Sequence, residues 1–206
     1  MILRLPMVVA LVSVGLTGGA NAQVRFDVRL GVLASSNLVT DSIGTEALTL
    51  RQNIAPTLGL AVDSRLGPHD RVGVTASVAR SNLTLHSASG DRALLVLTTW
   101  TPTLVLTHEV SPAFAVSAAA GAIIYDPDAR LGTIFSSDAP AKPVVGLGLH
   151  WRRLVGEHTA MGLDLSYDVH GFMTQTLISQ GFSGQWVVHR VAIGLTLGHR
   201  YDAPSP

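Results

Sequence analysis

From Val24 to Tyr201 the chain alternates apolar and polar residues with a period of two, and turn residues break the alternation about every twenty positions. Successive side chains of a strand point to opposite faces, so the pattern predicts an all-β chain. Eight segments emerge: Val24 to Val32, with an extension toward Val39, then Ala55 to Ser64, Arg71 to Ser81, Ala93 to His108, Ala113 to Tyr125, Val144 to Trp151, Met161 to Gly171 and Trp186 to Tyr201. In "MGLDLSYDVHG", Met161, Leu163, Leu165, Tyr167 and Val169 share one face, and Asp164, Ser166, Asp168 and His170 share the other. The fourth segment is apolar on both faces from Leu94 to Leu97 and contains Pro102, which predicts a bulge near Thr98 to Thr103.

The connections differ in length. "RLGPHD", "EVSP" and "VGEHT" are short, whereas Thr40 to Leu48, His86 to Arg92, Asp126 to Lys142 and Phe172 to Gln185 are longer. Short turns at one end and longer loops at the other fit an outer-membrane barrel, with turns toward the periplasm.

One face of the segments is almost purely aliphatic. Its opposite mixes Gly, Ala, Ser and Thr with Arg25, Asp27, Arg29, Asp63, Arg152, Asp164, Asp168, His170, Arg190 and Arg200. Charged residues make up only 14% of the chain, against roughly 25% in an average soluble domain, and the mean hydropathy is +0.38. A soluble barrel with the aliphatic face inside would have an exterior poor in charge and rich in glycine. The inverted arrangement, aliphatic face in lipid and both signs of charge paired in a narrow lumen, accommodates every segment. The ten charged residues are therefore the candidate lumenal network, in which Asp164, Asp168 and His170 pair with arginines such as Arg152 or Arg190.

The aromatic residues support two interfacial girdles: Phe26, Trp151 and Tyr201 at the periplasmic ends, and Tyr125, Tyr167, Phe172 and Trp186 at the outer ends. The first residues carry Arg4, an apolar run from Leu5 to Leu16 and "ANA" at Ala20 to Ala22, which predicts a signal peptide over 1–22, cleaved before Gln23, and a barrel domain over 23–206. The chain has no cysteine, which removes thiolate chemistry and Cys-ligated metals. Lys142 is the only lysine and no basic cluster stands out, so nucleic acid is a poor partner.

With this alternation, the export signal and a last strand reading "LTLGHRY", the chain resembles the small eight-stranded outer-membrane barrels of the OmpA transmembrane-domain and OmpX type. The resemblance rests on architecture, and "DAPSP" after Tyr201 departs from the usual terminal aromatic. It implies an eight-stranded antiparallel up-and-down transmembrane barrel in the outer membrane. The expected partners are outer-membrane lipid, lipopolysaccharide and the barrel-assembly machinery, and no cofactor or metal is expected.

Catalytic motifs are sparse. Ser166, Asp168 and His170 share a face, but residues two apart on a strand are separated by roughly 6.6 Å, too far for a triad within one strand. Lipid A deacylases carry a His-x-Ser pair, and no histidine here is followed two residues later by serine. His69, His108 and His158 fall in short turns, and "DPDAR" from Asp126 lacks calcium-loop spacing. The expectation is a non-enzymatic surface or structural protein whose loops meet envelope or surface components. A lipid A-modifying enzyme and a secreted lipocalin-like carrier are the alternatives, and a general porin is disfavoured because eight strands leave little open lumen.

Overall fold

Among the described residues every strand pairs antiparallel with its neighbours. The computed structural model describes residues 23–43, 46–128, 141–172, 174, 178–179, 181 and 186–201. The strands are β1 (Val24–Ser35), β2 (Asn37–Ile43), β3 (Glu46–Gln52), β4 (Ala55–Arg65), β5 (Asp70–Ser87), β6 (Gly90–Glu109), β7 (Phe114–Pro127), β8 (Ala141–Leu154), β9 (Thr159–Phe172) and β10 (Trp186–Tyr201). A ring closes through β1, β4, β5, β6, β7, β8, β9, β10 and back to β1, whose Val24 pairs with Tyr201. Closure removes every edge from the ring. It is an eight-stranded up-and-down barrel, as the alternation predicts.

Two strands lie outside that prediction. β2 and β3 pair with each other, and β3 continues onto the far end of β5 through Thr49 and His86. The first long connection is therefore a hairpin that prolongs the wall. The β5–β6 hairpin is likewise tighter than expected: Ser87 pairs with Gly90, whose φ of 117° is a conformation that glycine adopts without a side-chain clash. The expected bulge is displaced. The β5–β6 register runs unbroken through Thr98 to Thr103 and shifts between Leu83 and Thr84, opposite the doubly apolar stretch at Leu94. Pro102 still pairs in sequence with Ala76 on one side, while the β6–β7 ladder steps from Trp100 to Thr103, consistent with its missing N–H.

Side-chain orientation answers the question raised by the alternation. Leu163, Leu165, Leu195 and Leu197 are 46%, 42%, 61% and 53% exposed, whereas Asp164 and Arg190 are 8% and 2% exposed. Such a continuous outward apolar surface exceeds what a soluble monomer presents to water and fits hydrocarbon instead. Phe26, Trp151 and Phe114 belong to it near the short-turn end, and Phe26 packs edge-to-face on Tyr201 with centroids 5.6 Å apart. Near the other end Tyr167 also faces outward, bonded to His189 Nδ1 at 2.6 Å. Tyr125 and Phe172 depart from the expected outer girdle. Both are fully buried inside, because strand alternation places them in register with Ile123 and His170 on the lumenal side. The Trp186 side chain, residues 1–22 and most of the two longest loops lie outside the described residues.

Candidate functional site

The lumen is stratified along the barrel axis. At the short-turn end, Asp63 on β4 accepts from Arg25 on β1 at 2.6 Å and from Arg71 on β5. Asp27, two residues above Arg25 on the same inward face, lies 3.0 Å from Arg152 on β8 and 3.4 Å from the Arg25 Nε. These pairs cross the lumen as well as running along its wall. Buried charges of opposite sign offset each other's lost hydration only at such distances, and the network fills the section where they meet.

One level further in stands Asp164 on β9. Its carboxylate is 3.4 Å from Arg29 Nε and accepts hydrogen bonds from His150 Nδ1 and the Thr196 hydroxyl. His150 and Asp164 are direct cross-strand partners, which explains the contact. The other imidazole nitrogen, His150 Nε2, lies 2.8 Å from Ser117 Oγ on β7. Gly148 makes room for this meeting: a Cβ there would collide with Ser117 Oγ and stand 3.0 Å from His150 Nε2. Ser117, His150 and Asp164 thus form a hydrogen-bonded relay across three strands beside an internal cavity of about 120 Å³.

Above the relay, Arg190 on β10 is opposite Asp168 on β9 and donates to Thr101 Oγ1 at 3.2 Å. His170 shares a hydrogen bond with the Tyr125 hydroxyl, and Tyr125 packs edge-to-face on Phe172 at 5.0 Å. Here the lumen changes character. Leu38, Val39, Leu50, Leu83, Leu97, Ile123, Val144 and Val188 pack around these rings in one buried cluster. Polar below and apolar above, the interior is closed toward the loop end.

All ten candidate lumenal residues therefore face inward. The structure brings Arg25, Asp27, Asp63 and Arg152 into one network, sets Arg29 against Asp164 and places Asp168 opposite Arg190, whereas His170 bonds the Tyr125 hydroxyl and not an arginine. Arg200 also lines the short-turn mouth and, among the described residues, is not joined to an ion pair. Arg71, His150, Ser117 and Tyr125 belong to the lumen without having been among the ten. Arg71 is the first residue of the segment the alternation marks, where one position says little, and Tyr125 reads equally well as an interfacial ring. His108 bonds Asp70 at 2.8 Å in the rim and the His69 ring lies tilted beside it, with centroids 6.3 Å apart, so these histidines are held at the surface. Asp128 accepts from the Val96 N–H at 3.0 Å, as a turn residue does. Among the described residues no three metal-ligating side chains converge.

No protein-family model and no curated protein sequence matches the chain. Solved structures do. The outer membrane protein OprG from Pseudomonas aeruginosa aligns over 89% of this chain and 96% of its own, at 13% identity and a TM-score of 0.50. The outer membrane protein AlkL, solved in lipid bilayers, aligns over 92% and 95%, at 12% identity and a TM-score of 0.57. The likeness is one of fold: an eight-stranded transmembrane β-barrel of the outer-membrane kind.

Proposed function

We propose, from the premise of this outer-membrane barrel fold, that the protein is a non-enzymatic structural and surface component of the outer membrane, acting through its loop end. The carrying observation is the closed lumen. Ion pairs bridge the lumen just inside its short-turn mouth, and among the described residues the cluster around Tyr125 and Phe172 packs the other end, which supports a barrel without an open pore. The loop end, by contrast, is built outward by the β2–β3 hairpin and the long β5–β6 hairpin.

Lipopolysaccharide is the partner this end fits. Arg51 and Arg80 hold exposed guanidiniums on outward faces of β3 and β5, on the half of the barrel that bears the loops. Cations there meet phosphates of the outer leaflet. The barrel-assembly machinery is the partner expected on the way to the membrane.

The Ser117–His150–Asp164 relay favours a second reading, a hydrolase. In it Asp164 orients the imidazole and Nε2 would accept the serine proton. The relay nevertheless faces a small interior cavity, on the opposite side of the wall from lipid, so it does not serve the lipid A reaction that the fold suggests as an alternative. A clamp that ties β7, β8 and β9 together is the role it fits.

Two readouts test the proposal together. Reconstituted protein should bind lipopolysaccharide, weakened by the double change Arg51→Gln and Arg80→Gln, and should not react with a fluorophosphonate probe. Labelling of Ser117, or a lipid A mass spectrum altered by gene deletion, would replace the structural reading with the enzymatic one.

A further inference from the structure

The short-turn mouth of the barrel holds a cavity of about 460 Å³ whose walls are unequally charged. Arg25, Arg65, Arg152 and Arg200 line it, and Glu109 is the sole carboxylate among its lining residues. The carboxylates behind the wall do not restore balance. Asp63 is shared between Arg25 and Arg71, Asp27 between Arg25, Arg29 and Arg152, and Glu109 lies 3.9 Å from both Arg65 and Arg71. Among the described residues six guanidiniums, those of Arg25, Arg29, Arg65, Arg71, Arg152 and Arg200, therefore share three carboxylates, and only Arg29 has a further one in Asp164.

Two details locate the excess. Arg25 and Arg200 are direct cross-strand partners, both on the inward face, and like charges so placed repel. Arg25 is held by Asp63, but the Arg200 guanidinium has no hydrogen bond or ion pair among the described residues. Arg152 lines the same cavity and spends one of its two terminal nitrogens on Asp27. Unspent guanidinium donors lining one open, concave space are what an oxyanion needs.

We propose that this vestibule binds a phosphate group, with Arg200 and Arg152 as the donors. The phosphate belongs either to the headgroup of a phospholipid in the adjacent leaflet or to a free phosphate of the periplasm. Both carry the same oxygens. The exposed Val110, Phe114 and Leu154 on the same cavity's rim would additionally lie along an acyl chain, so the two sources differ in what else they touch.

The experiment uses the whole protein folded in neutral maltoside micelles and calorimetric titration in two arms, inorganic phosphate and dihexanoylphosphatidylglycerol. Saturable binding of inorganic phosphate supports the site and assigns it to free phosphate; binding of the lipid alone supports it and assigns it to the headgroup. In either arm Arg200→Gln weakens binding about tenfold, the loss expected for a charge-assisted hydrogen bond. Arg92→Gln, at the opposite end, leaves it unchanged. Because Arg200 makes no ion pair, its variant keeps the heat-modifiable gel mobility of the folded barrel, which is checked in parallel. Absence of saturable binding in both arms, or binding that Arg200→Gln leaves intact, overturns the proposal.

Discussion

Asp63 receives Arg25 at 2.6 Å and Arg71 from the other side, and it joins β1, β4 and β5 at the one place where all three meet the mouth of the lumen. Neutralising that carboxylate leaves Arg25 only Asp27, at 3.4 Å, and Arg71 only Glu109, at 3.9 Å, as charge partners. Asp63→Asn should lower the unfolding free energy in micelles by about 3–5 kcal/mol, the usual cost of removing one partner from a buried pair. Urea unfolding followed by gel mobility measures it, and an unchanged midpoint would mean that the network is incidental.

The outward face predicts the opposite sensitivity. Leu163 and Leu195 are cross-strand partners on the aliphatic surface. Leu195→Arg should destabilise the reconstituted barrel by about 2–4 kcal/mol if it sits near the bilayer midplane. Replacement of Leu195 by Ala should cost less than the arginine, which a vesicle-based unfolding titration compares directly.

Closure of the loop end rests on Tyr125 and Phe172. Phe172→Ala removes the ring that packs on Tyr125 and should cost about 3–5 kcal/mol, the range for deleting a buried aromatic. If the cluster is the seal, the same variant raises single-channel conductance in planar bilayers above that of the parent protein. Equal conductance would place the seal elsewhere.

Gly148 supplies a test of the relay. Gly148→Ala inserts a methyl between Ser117 and His150, whereas Ser117→Ala only deletes a hydrogen bond worth roughly 1 kcal/mol. The glycine variant should therefore be the less stable of the two in thermal unfolding. The reverse order would mean that the strands yield easily and the relay is loosely held.

The fold was legible because period-two alternation survives wherever one face meets lipid and the other a packed lumen. Leu163 and Asp164, or Leu195 and Thr196, carry that contrast within two residues. It fails where both sides of the wall become apolar. At Leu38, Leu50, Leu83 and Leu97 the interior is as greasy as the exterior, so alternation no longer marks the face, and β2 beyond Val39 and the start of β3 read as loop. The relay was hidden for another reason. Ser117, His150 and Asp164 are far apart in sequence, and only the register of β7, β8 and β9 brings them together.

The most direct test of the account is the orientation of β10. The chain has no cysteine, so single cysteines at Ala192, Ile193, Leu195 and Thr196 can carry a nitroxide without competing sites. In reconstituted vesicles, power-saturation electron paramagnetic resonance should find Ile193 and Leu195 open to oxygen and closed to a water-soluble nickel relaxant, with Ala192 and Thr196 showing low access to oxygen. Equal accessibility along the strand, or oxygen access at Ala192 and Thr196 in place of Ile193 and Leu195, would contradict it.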